Sequence, residues 1–373
     1  MVHIGINGLH IKWGVNAGTE TYLTNIILPW YREAAEGVKF TLLCLRPPDW
    51  WEGETSHFKL AELPFAAGLL GRIGVEQLLL PATIYRNFDV LFNPGYVGSV
   101  LGNTQQVITV HDQFAWLFPS EISRMRSLYW KTLIPITARR AASVIAVSQN
   151  TANDLVGFCK IDPTKISIIP EAGDHLQTSD EQTKILEELA LVSREYFICV
   201  GCFKKIKNPW RILQAYEMYL SKTPKSLQKD LLLVGYAKSK QGEAILNTAR
   251  SIPNVLCAGR VSDCDLAVLL KNSSGLIFTS LYEGFGIPIL EAQSLGCPVI
   301  TSDVSSMPEV AGEGAILVDP YSVEAICRAL SQISLNFPEE IVQKGHENLL
   351  RFSWVNASQD TLDLLLKASR SSK

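Results

Sequence analysis

The sequence predicts an α/β protein with two doubly wound parallel sheets, and three observations lead there. Short apolar runs such as Asp230-Leu-Leu-Leu-Val-Gly235 show no in/out alternation, as expected of strands covered on both faces. These runs alternate with helical patterns, the signature of βαβ units. The series of about six strands occurs twice, in a chain whose 373 residues suit two domains. In the first half, strands are expected at 2–7, 40–45, 89–92, 107–110, 143–147 and 166–169. The second half starts again at 196–201 and continues at 231–235, 255–259, 276–280, 298–301 and 315–318. Helical periodicity covers 19–36, 121–140, 210–220, 241–250 and 288–295. A polar stretch from Glu171-Ala-Gly-Asp-His175 to residue 185 reads as a linker, so the boundary is placed after Pro170. The expected domains are therefore 1–170 and 171–353. Residues 354–373 form one amphipathic helix, with Val355, Ala357, Leu362, Leu365 and Leu366 apolar, expected to pack back on the first domain. Two such sheets facing each other leave a cleft at the carboxyl ends of their strands, where open α/β sheets bind ligands.

Composition narrows the function classes. Lys and Arg number 34 against 37 Asp and Glu, a net charge of −3 that removes general attraction to nucleic acid. With 47% apolar and 19% charged residues the chain can bury a large core. No run approaches the ~20 apolar residues of a membrane-spanning helix. The opening Met1-Val-His-Ile-Gly-Ile-Asn7 lacks the basic and apolar regions of a secretory leader, so a cytoplasmic protein is expected. The eight cysteines are scattered through apolar runs. Cys199-Val-Gly-Cys202 forms a C-x-x-C, but no second pair completes a zinc site, and buried thiols are the better reading.

The most informative stretch is Ser280-Leu-Tyr-Glu283-Gly284-Phe285-Gly286-Ile287-Pro288-Ile-Leu-Glu291-Ala292. It follows a buried strand and leads into a helix, with Pro288 suited to the first turn. Gly284 and Gly286 let backbone approach a ligand closely. Unpaired N–H groups at the helix start suit an anion such as a diphosphate. Glu283 lies in the loop and Glu291 is expected in the first helical turn, both able to accept hydrogen bonds from ribose and sugar hydroxyls. A helix start with a stabilising glutamate is the plainer alternative.

This stretch resembles the E-x7-E signature of retaining glycosyltransferases of family 4, which have two Rossmann-like domains, the GT-B fold. The resemblance runs along most of the chain. Val200-Gly201-Cys-Phe-Lys-Lys-Ile-Lys207-Asn208 is similar to the family's V-G-x-x-x-x-x-K-N loop, and Gly259-Arg-Val261 with Leu266 to its G-x-V…L segment. Pro298-Val-Ile-Thr-Ser302 and Met307-Pro-Glu-Val310 follow the same order. Gly18-Thr-Glu-Thr-Tyr22, His111-Asp112 and Ala146-Val-Ser148 match in the first half.

The resemblance implies a role for each matched residue. Glu291 would hold the ribose hydroxyls, and Glu283, with the backbone of Phe285 and Gly286, the donor sugar. The N–H groups of Gly286 and Ile287, with Gly18 from the facing domain, would cradle the diphosphate. Lys207 would neutralise the leaving diphosphate, and His111 would contact the sugar near its anomeric carbon. Asp112 is read either with His111 or as a cap for the next segment. The base would meet backbone near Val261. Many members carry Arg where this chain has Cys202, so Lys204 or Lys205 replaces that clamp or the clamp is weaker.

The implied activity is transfer of a hexose from a nucleotide-diphosphate sugar to a glycan or lipid-linked glycan. Expected features are retention by front-face attack, no metal and no cofactor beyond the donor. UDP-glucose is the preferred donor, then GDP-mannose. Alternatives of the same fold are a nucleotide-sugar epimerase, a phosphorylase or a silent nucleotide-sugar-binding protein. A glycosidase would need neither Lys207 nor the anion site, and a dinucleotide oxidoreductase lacks support because Gly5-Ile-Asn-Gly8 is not G-x-G-x-x-G. Asp263-Cys-Asp265 resembles a D-x-D metal motif, yet it opens a helix and Asp263 reads as a cap or a first-turn acid. Trp13, Trp50, Trp51, Trp116 and Trp130 are either sugar platforms or core. Arg124, Arg126, Lys131, Arg139 and Arg140 are either a peripheral contact to the inner membrane face or a solvated basic surface.

Overall fold

Apolar runs without alternation form the centre of two separate parallel sheets. The computed structural model describes residues 1–14, 17–64, 69–176, 184–237 and 239–370. They fall into two units, 1–171 with the C-terminal helix from Trp354, and 172–353. In the first unit β1 (Val2–Asn7), β2 (Val38–Cys44), β3 (Phe58–Glu62), β4 (Val90–Asn93), β5 (Gln105–Val110), β6 (Ser143–Ala146) and β7 (Ile166–Ile168) lie in the order β3-β2-β1-β4-β5-β6-β7. Every pairing is parallel. The second sheet holds β8 (Tyr196–Val200), β9 (Asp230–Val234), β10 (Val255–Gly259), β11 (Gly275–Phe278), β12 (Val299–Ser302) and β13 (Ile316–Val318), in the order β10-β9-β8-β11-β12-β13 and again all parallel. Strand order therefore reverses between β1 and β4 and between β8 and β11. In open α/β sheets, ligands bind at such reversals, at the carboxyl ends of the strands.

Strand β3 is absent from the pattern read off the sequence. It pairs only with β2, and only Phe58 is fully buried, while Lys59 and Glu62 face solvent. A charged sheet edge carries no apolar run, and its charges deter further pairing. The second core is more regular. Phe197, Leu231, Leu233, Ile277 and Ile300 pack against Ile212, Tyr216 and Tyr219 of helix Pro209–Lys222 and against Ile326, Leu330 and Ile333 of helix Val323–Leu335.

The stretch read as a solvated linker is instead built into the structure. Glu171, Ala172 and Leu176 are buried, and residues 177–183 of that stretch lie outside the described residues. Its polar groups find protein partners, so polarity here does not signal exposure. The last helix, Trp354–Arg370, packs on helix Ala17–Arg32; residues 371–373 lie outside the described residues. Ser358 Oγ donates to the Ile26 carbonyl at 2.7 Å, and Trp354 meets Tyr22 edge-on at 6.2 Å. Leu365 is fully buried. Leu365→Ala should destabilise the first unit by about 2–5 kcal/mol, read as a lower denaturant midpoint for that unit's transition.

Candidate functional site

In the second unit, the segments leaving β8 and β11 meet at the reversal. The Leu281 N–H donates to the Ile206 carbonyl at 2.8 Å. Lys207 closes a single 3-10 turn, Lys205–Lys207, followed by Asn208 at φ 60°. The Asn208 amide is buried and donates to the Pro320 carbonyl at 2.6 Å, and its oxygen accepts from Arg211 at 3.2 Å. The lysine's base is thus rigid. Its Nζ donates to Glu283 Oε1 at 2.7 Å and lies 4.7 Å from the centre of the Phe278 ring. The two charged side chains are 22% and 17% exposed, enough to be reached from one side while the other is desolvated.

Glu283 is held by its backbone as well. Its N–H donates to Ser305 Oγ at 3.2 Å, and its carbonyl accepts from Ser305 Oγ at 2.6 Å and Ser306 Oγ at 3.0 Å. Ser306 also donates to the Phe285 carbonyl at 2.6 Å. Sequence reasoning missed these two serines, and a hydroxyl pair after a strand is too common a pattern to reveal them. Gly284, Phe285 and Ile287 are buried, Phe285 edge-on against Phe352. Gly286 caps helix Ile287–Ser294 at φ 118°, a region that disfavours any side chain. Pro288 has no N–H and the Ile289 N–H turns back to the Gly286 carbonyl at 3.0 Å, so the amides of Gly286 and Ile287 are the donors this helix start could offer an anion.

Glu291 departs from expectation. The helix starts at Ile287, so Glu291 stands in the second turn. Its carboxylate is nearly buried and pairs with His175 Nε2 at 3.2 Å. His175 belongs to the stretch read as a linker, and nothing in its sequence context singled it out. Cys202 is also placed differently from a phosphate-clamp residue, for its side chain is turned into the core beside Cys199 and is 1% exposed. The neighbouring Cys199 sulfur and burial push its thiol well above the ordinary range. Lys204 and Lys205 are exposed on the same loop, and Val261 is half-buried just beyond β10. Asp265 sits in the first turn of helix Asp263–Lys271, where Ser262 is the cap: Ser262 Oγ accepts from Asp265 N–H and donates to its carboxylate at 2.6 Å. Ser262 is the cap, and Asp263 takes the other expected place, as an acid of the first turn.

In the first unit Gly18 lies exposed in the first turn of helix Ala17–Arg32. His111 follows β5 and is buried, with both ring nitrogens engaged: Nε2 to the Pro94 carbonyl at 2.8 Å and Nδ1 to Glu171 Oε1 at 3.0 Å. Burial lowers its pKa, but the bond and charge of Glu171, the Pro94 carbonyl and Asp112 outweigh it and leave the ring's pKa raised. Both partners offer acceptor oxygens, an arrangement that favours the protonated ring. Asp112 accepts from Tyr96 and from the Phe114 N–H, just before helix Phe114–Leu117, whose cap position is Gln113.

Beside His111, at the first reversal, lies a small polar cavity lined by Asn7, His10, Arg72, Glu76, Gly95, Tyr129 and Trp130. It has room for roughly one water-sized group. Asn7 donates to Glu76 at 3.2 Å, and Arg72 faces the same carboxylate at 3.4 Å. His10 is neutral, its pKa lowered to about 3 by burial and then by Arg72 and His111. Its Nε2 has no hydrogen-bond partner among the described residues. The tryptophans are largely packing elements: Trp13 is 2% exposed and edge-on to Trp50, Trp51 packs on Tyr31 and Phe58, and Trp116 stacks on Phe158. Trp130, stacked on Tyr96, is the one that lines this cavity.

Two family models cover most of the chain, "Glycosyltransferase Family 4" over residues 18–175 and "Glycosyl transferases group 1" over 181–347. The chain belongs to the group 1 glycosyltransferases. The chain is 28% identical to O-antigen chain mannosyltransferase B of Escherichia coli over 265 residues, 69% of each protein. It is 27% identical over 246 residues to the serotype-specific mannosyltransferase WbdA of Escherichia coli, covering 63% of this chain but 30% of that longer protein. The fold is that of Anabaena HepE in complex with UDP and glucose, with a TM-score of 0.72 and 16% identity over 98% of this chain and 99% of that one.

The two histidines give this glycosyltransferase opposite pH responses. A raised pKa makes the His111 contribution complete below its unfolded value and lost as pH rises through the folded one. For His10 the neutral ring is favoured, so its contribution is complete above pH 6.5 and is lost progressively as pH falls toward about 3. His10→Gln should flatten that acid-side loss, measured by urea unfolding at neutral pH and at about pH 5.

Proposed function

We propose that this glycosyltransferase moves a mannosyl residue from a nucleoside diphosphate mannose, GDP-mannose first, to a hydroxyl of a growing surface glycan, with retention at the anomeric carbon. The observation that carries the reading is the Lys207–Glu283 pair at the strand reversal, beside the helix end capped by Gly286. A cation and a carboxylate side by side, next to the first amides of a helix, suit a diphosphate bonded to a polyhydroxylated sugar. The sugar rests on the relatives, whose names are those of mannosyltransferases. UDP-glucose, expected from the sequence, is the second reading, favoured by the UDP and glucose that accompany the Anabaena HepE structure.

In this reading Glu291 accepts the ribose hydroxyls, and Glu283 with the backbone of Phe285 takes the sugar hydroxyls. Lys207 has three N–H donors and gives one to Glu283, which leaves two for the diphosphate. As the bond from the anomeric carbon to the diphosphate oxygen breaks, negative charge grows on that oxygen. In this reading Lys207 and the amides of Gly286 and Ile287 stabilise that charge with little reorganisation. The acceptor oxygen bonds to the same face of the carbon and its proton passes to the departing diphosphate. Lysine and amides supply the positive field, so the reaction needs no metal. The polar cavity of the first unit suits an acceptor hydroxyl, because the bare His10 Nε2 calls for an O–H donor and the adjacent Glu76 disfavours a phosphate.

Calorimetry with GDP and UDP tests the donor: GDP should bind and UDP bind more weakly, and binding by neither would end the reading. Glu291→Ala should weaken nucleotide binding about tenfold, while Glu283→Ala should depress mannosyl transfer with little change in nucleotide affinity. EDTA should leave the transfer rate unchanged.

Membrane attachment is proposed for helix Arg124–Arg140. No helix among the described residues is long and apolar enough to cross a membrane. On this helix, however, Arg124 and Arg126 are exposed beside Met125 and Leu128, 61% and 68% exposed. Basic groups around protruding apolar side chains fit an anionic lipid surface. Arg124→Glu with Arg126→Glu should abolish sedimentation with phosphatidylglycerol vesicles, and unchanged sedimentation would refute the assignment.

A further inference from the structure

The five residues Glu171-Ala-Gly-Asp-His175, where the chain passes from one unit to the other, carry two side chains with the same task. Glu171 Oε1 lies 3.0 Å from His111 Nδ1 within the first unit, and His175 Nε2 lies 3.2 Å from Glu291 Oε1 within the second. Each is a carboxylate–imidazole pair, and in each one partner belongs to the crossover and the other to the candidate site. All four side chains are at most 13% exposed. The approach is enforced by the backbone: a Cβ on Gly173 would fall 2.6 Å from the Leu290 carbonyl carbon and 2.7 Å from the Glu291 nitrogen, so only glycine lets this segment lie against helix Ile287–Ser294.

We propose that the crossover is a positioning element for the transfer reaction, with His175 fixing the Glu291 carboxylate for the ribose diol and Glu171 holding the His111 ring. This rests on the donor-site reading given above. A glutamate side chain has three rotatable bonds, and binding a diol in a bidentate manner requires one of its rotamers. A hydrogen bond from His175 to Oε1 selects a rotamer in advance and leaves the remaining lone pairs for the two hydroxyls. Glu171 acts in the same way on a ring whose surroundings are otherwise mixed. His111 is faced by Asp112 on its own segment, neutral His10 from the segment after β1, Tyr22 from helix Ala17–Arg32, and Tyr96 from the segment after β4. Of these groups only Asp112 and Glu171 bear negative charge, and Glu171 is the one bonded to the ring.

The test compares GDP and UDP with their 2′-deoxy and 3′-deoxy forms by calorimetry, using wild type, His175→Ala and His175→Gln. Wild type should prefer the ribonucleotide by about tenfold. His175→Ala should lose most of that preference, and His175→Gln, which keeps an N–H donor, should regain part of it. If the preference persists in His175→Ala, or if affinity for ribo and deoxy ligands falls in equal proportion, His175 is only structural and the proposal fails. Wild type that binds no nucleoside diphosphate refutes the donor-site reading itself, a separate outcome. For the other end, Glu171→Gln keeps shape and removes charge. The alkaline limb of its kcat/KM profile should move down by about one pH unit, and an unmoved limb overturns that half.

Discussion

Lys207 and Glu283 neutralise each other at 2.7 Å, in a place where neither could remain charged and largely buried alone. The rest of the second unit can be read as the apparatus that brings them together. A parallel sheet must return its chain through helices, so the loops that leave its strands emerge at the same edge, and at the reversal the loops of two neighbouring strands lie side by side. Strands β8 and β11 flank that reversal, and one loop from each delivers the two charges. Asn208 anchors one loop through Pro320. Ser305 and Ser306 strap the other, and the Leu281–Ile206 bond ties the two together. An ion pair with so many independent supports costs little to keep in position. That is the condition for a charge to act at the moment a leaving group departs.

Much of this was legible in the sequence because it rests on local rules. Glycine at 286 with proline at 288 marks a helix start, and the run 275–278 marks a doubly covered strand. The motif order carried the two-sheet fold and the family. Three things were not legible, each for a physical reason. The edge strand Phe58–Glu62 hides because its charged Lys59 and Glu62 break the apolar run. Glu171 and His175 hide because a polar run looks solvated until the groups that satisfy it are known, and His111 and Glu291 lie 60 and 116 residues away in the chain. Cys202 stands where a clamp residue was expected, yet a thiol beside Cys199 is apolar enough to turn inward. The missing cation was thus visible in sequence but the direction of the side chain was not.

His10 and His111 show how little sequence says about protonation. Both follow strands of the same sheet and both are buried. Burial, and then Arg72, lower the pKa of His10 to about 3, whereas the bond and charge of Glu171 outweigh burial and raise that of His111. Residue type supplies the proton-accepting group, and burial together with the charge of its neighbours shifts the balance between the two forms. The first unit thus holds two buried histidines with opposite pKa shifts in one neighbourhood.

The packing of helix Trp354–Arg370 on helix Ala17–Arg32 also bears on how this protein is made. The first unit's sheet is translated early, but the helix that covers its apolar face leaves the ribosome only after all of residues 172–353. Throughout that interval the surface around Ile26 and Tyr22 waits uncovered, so completion of the first unit is timed by synthesis of the second. A nascent chain with such an exposed seam is a natural client for chaperones.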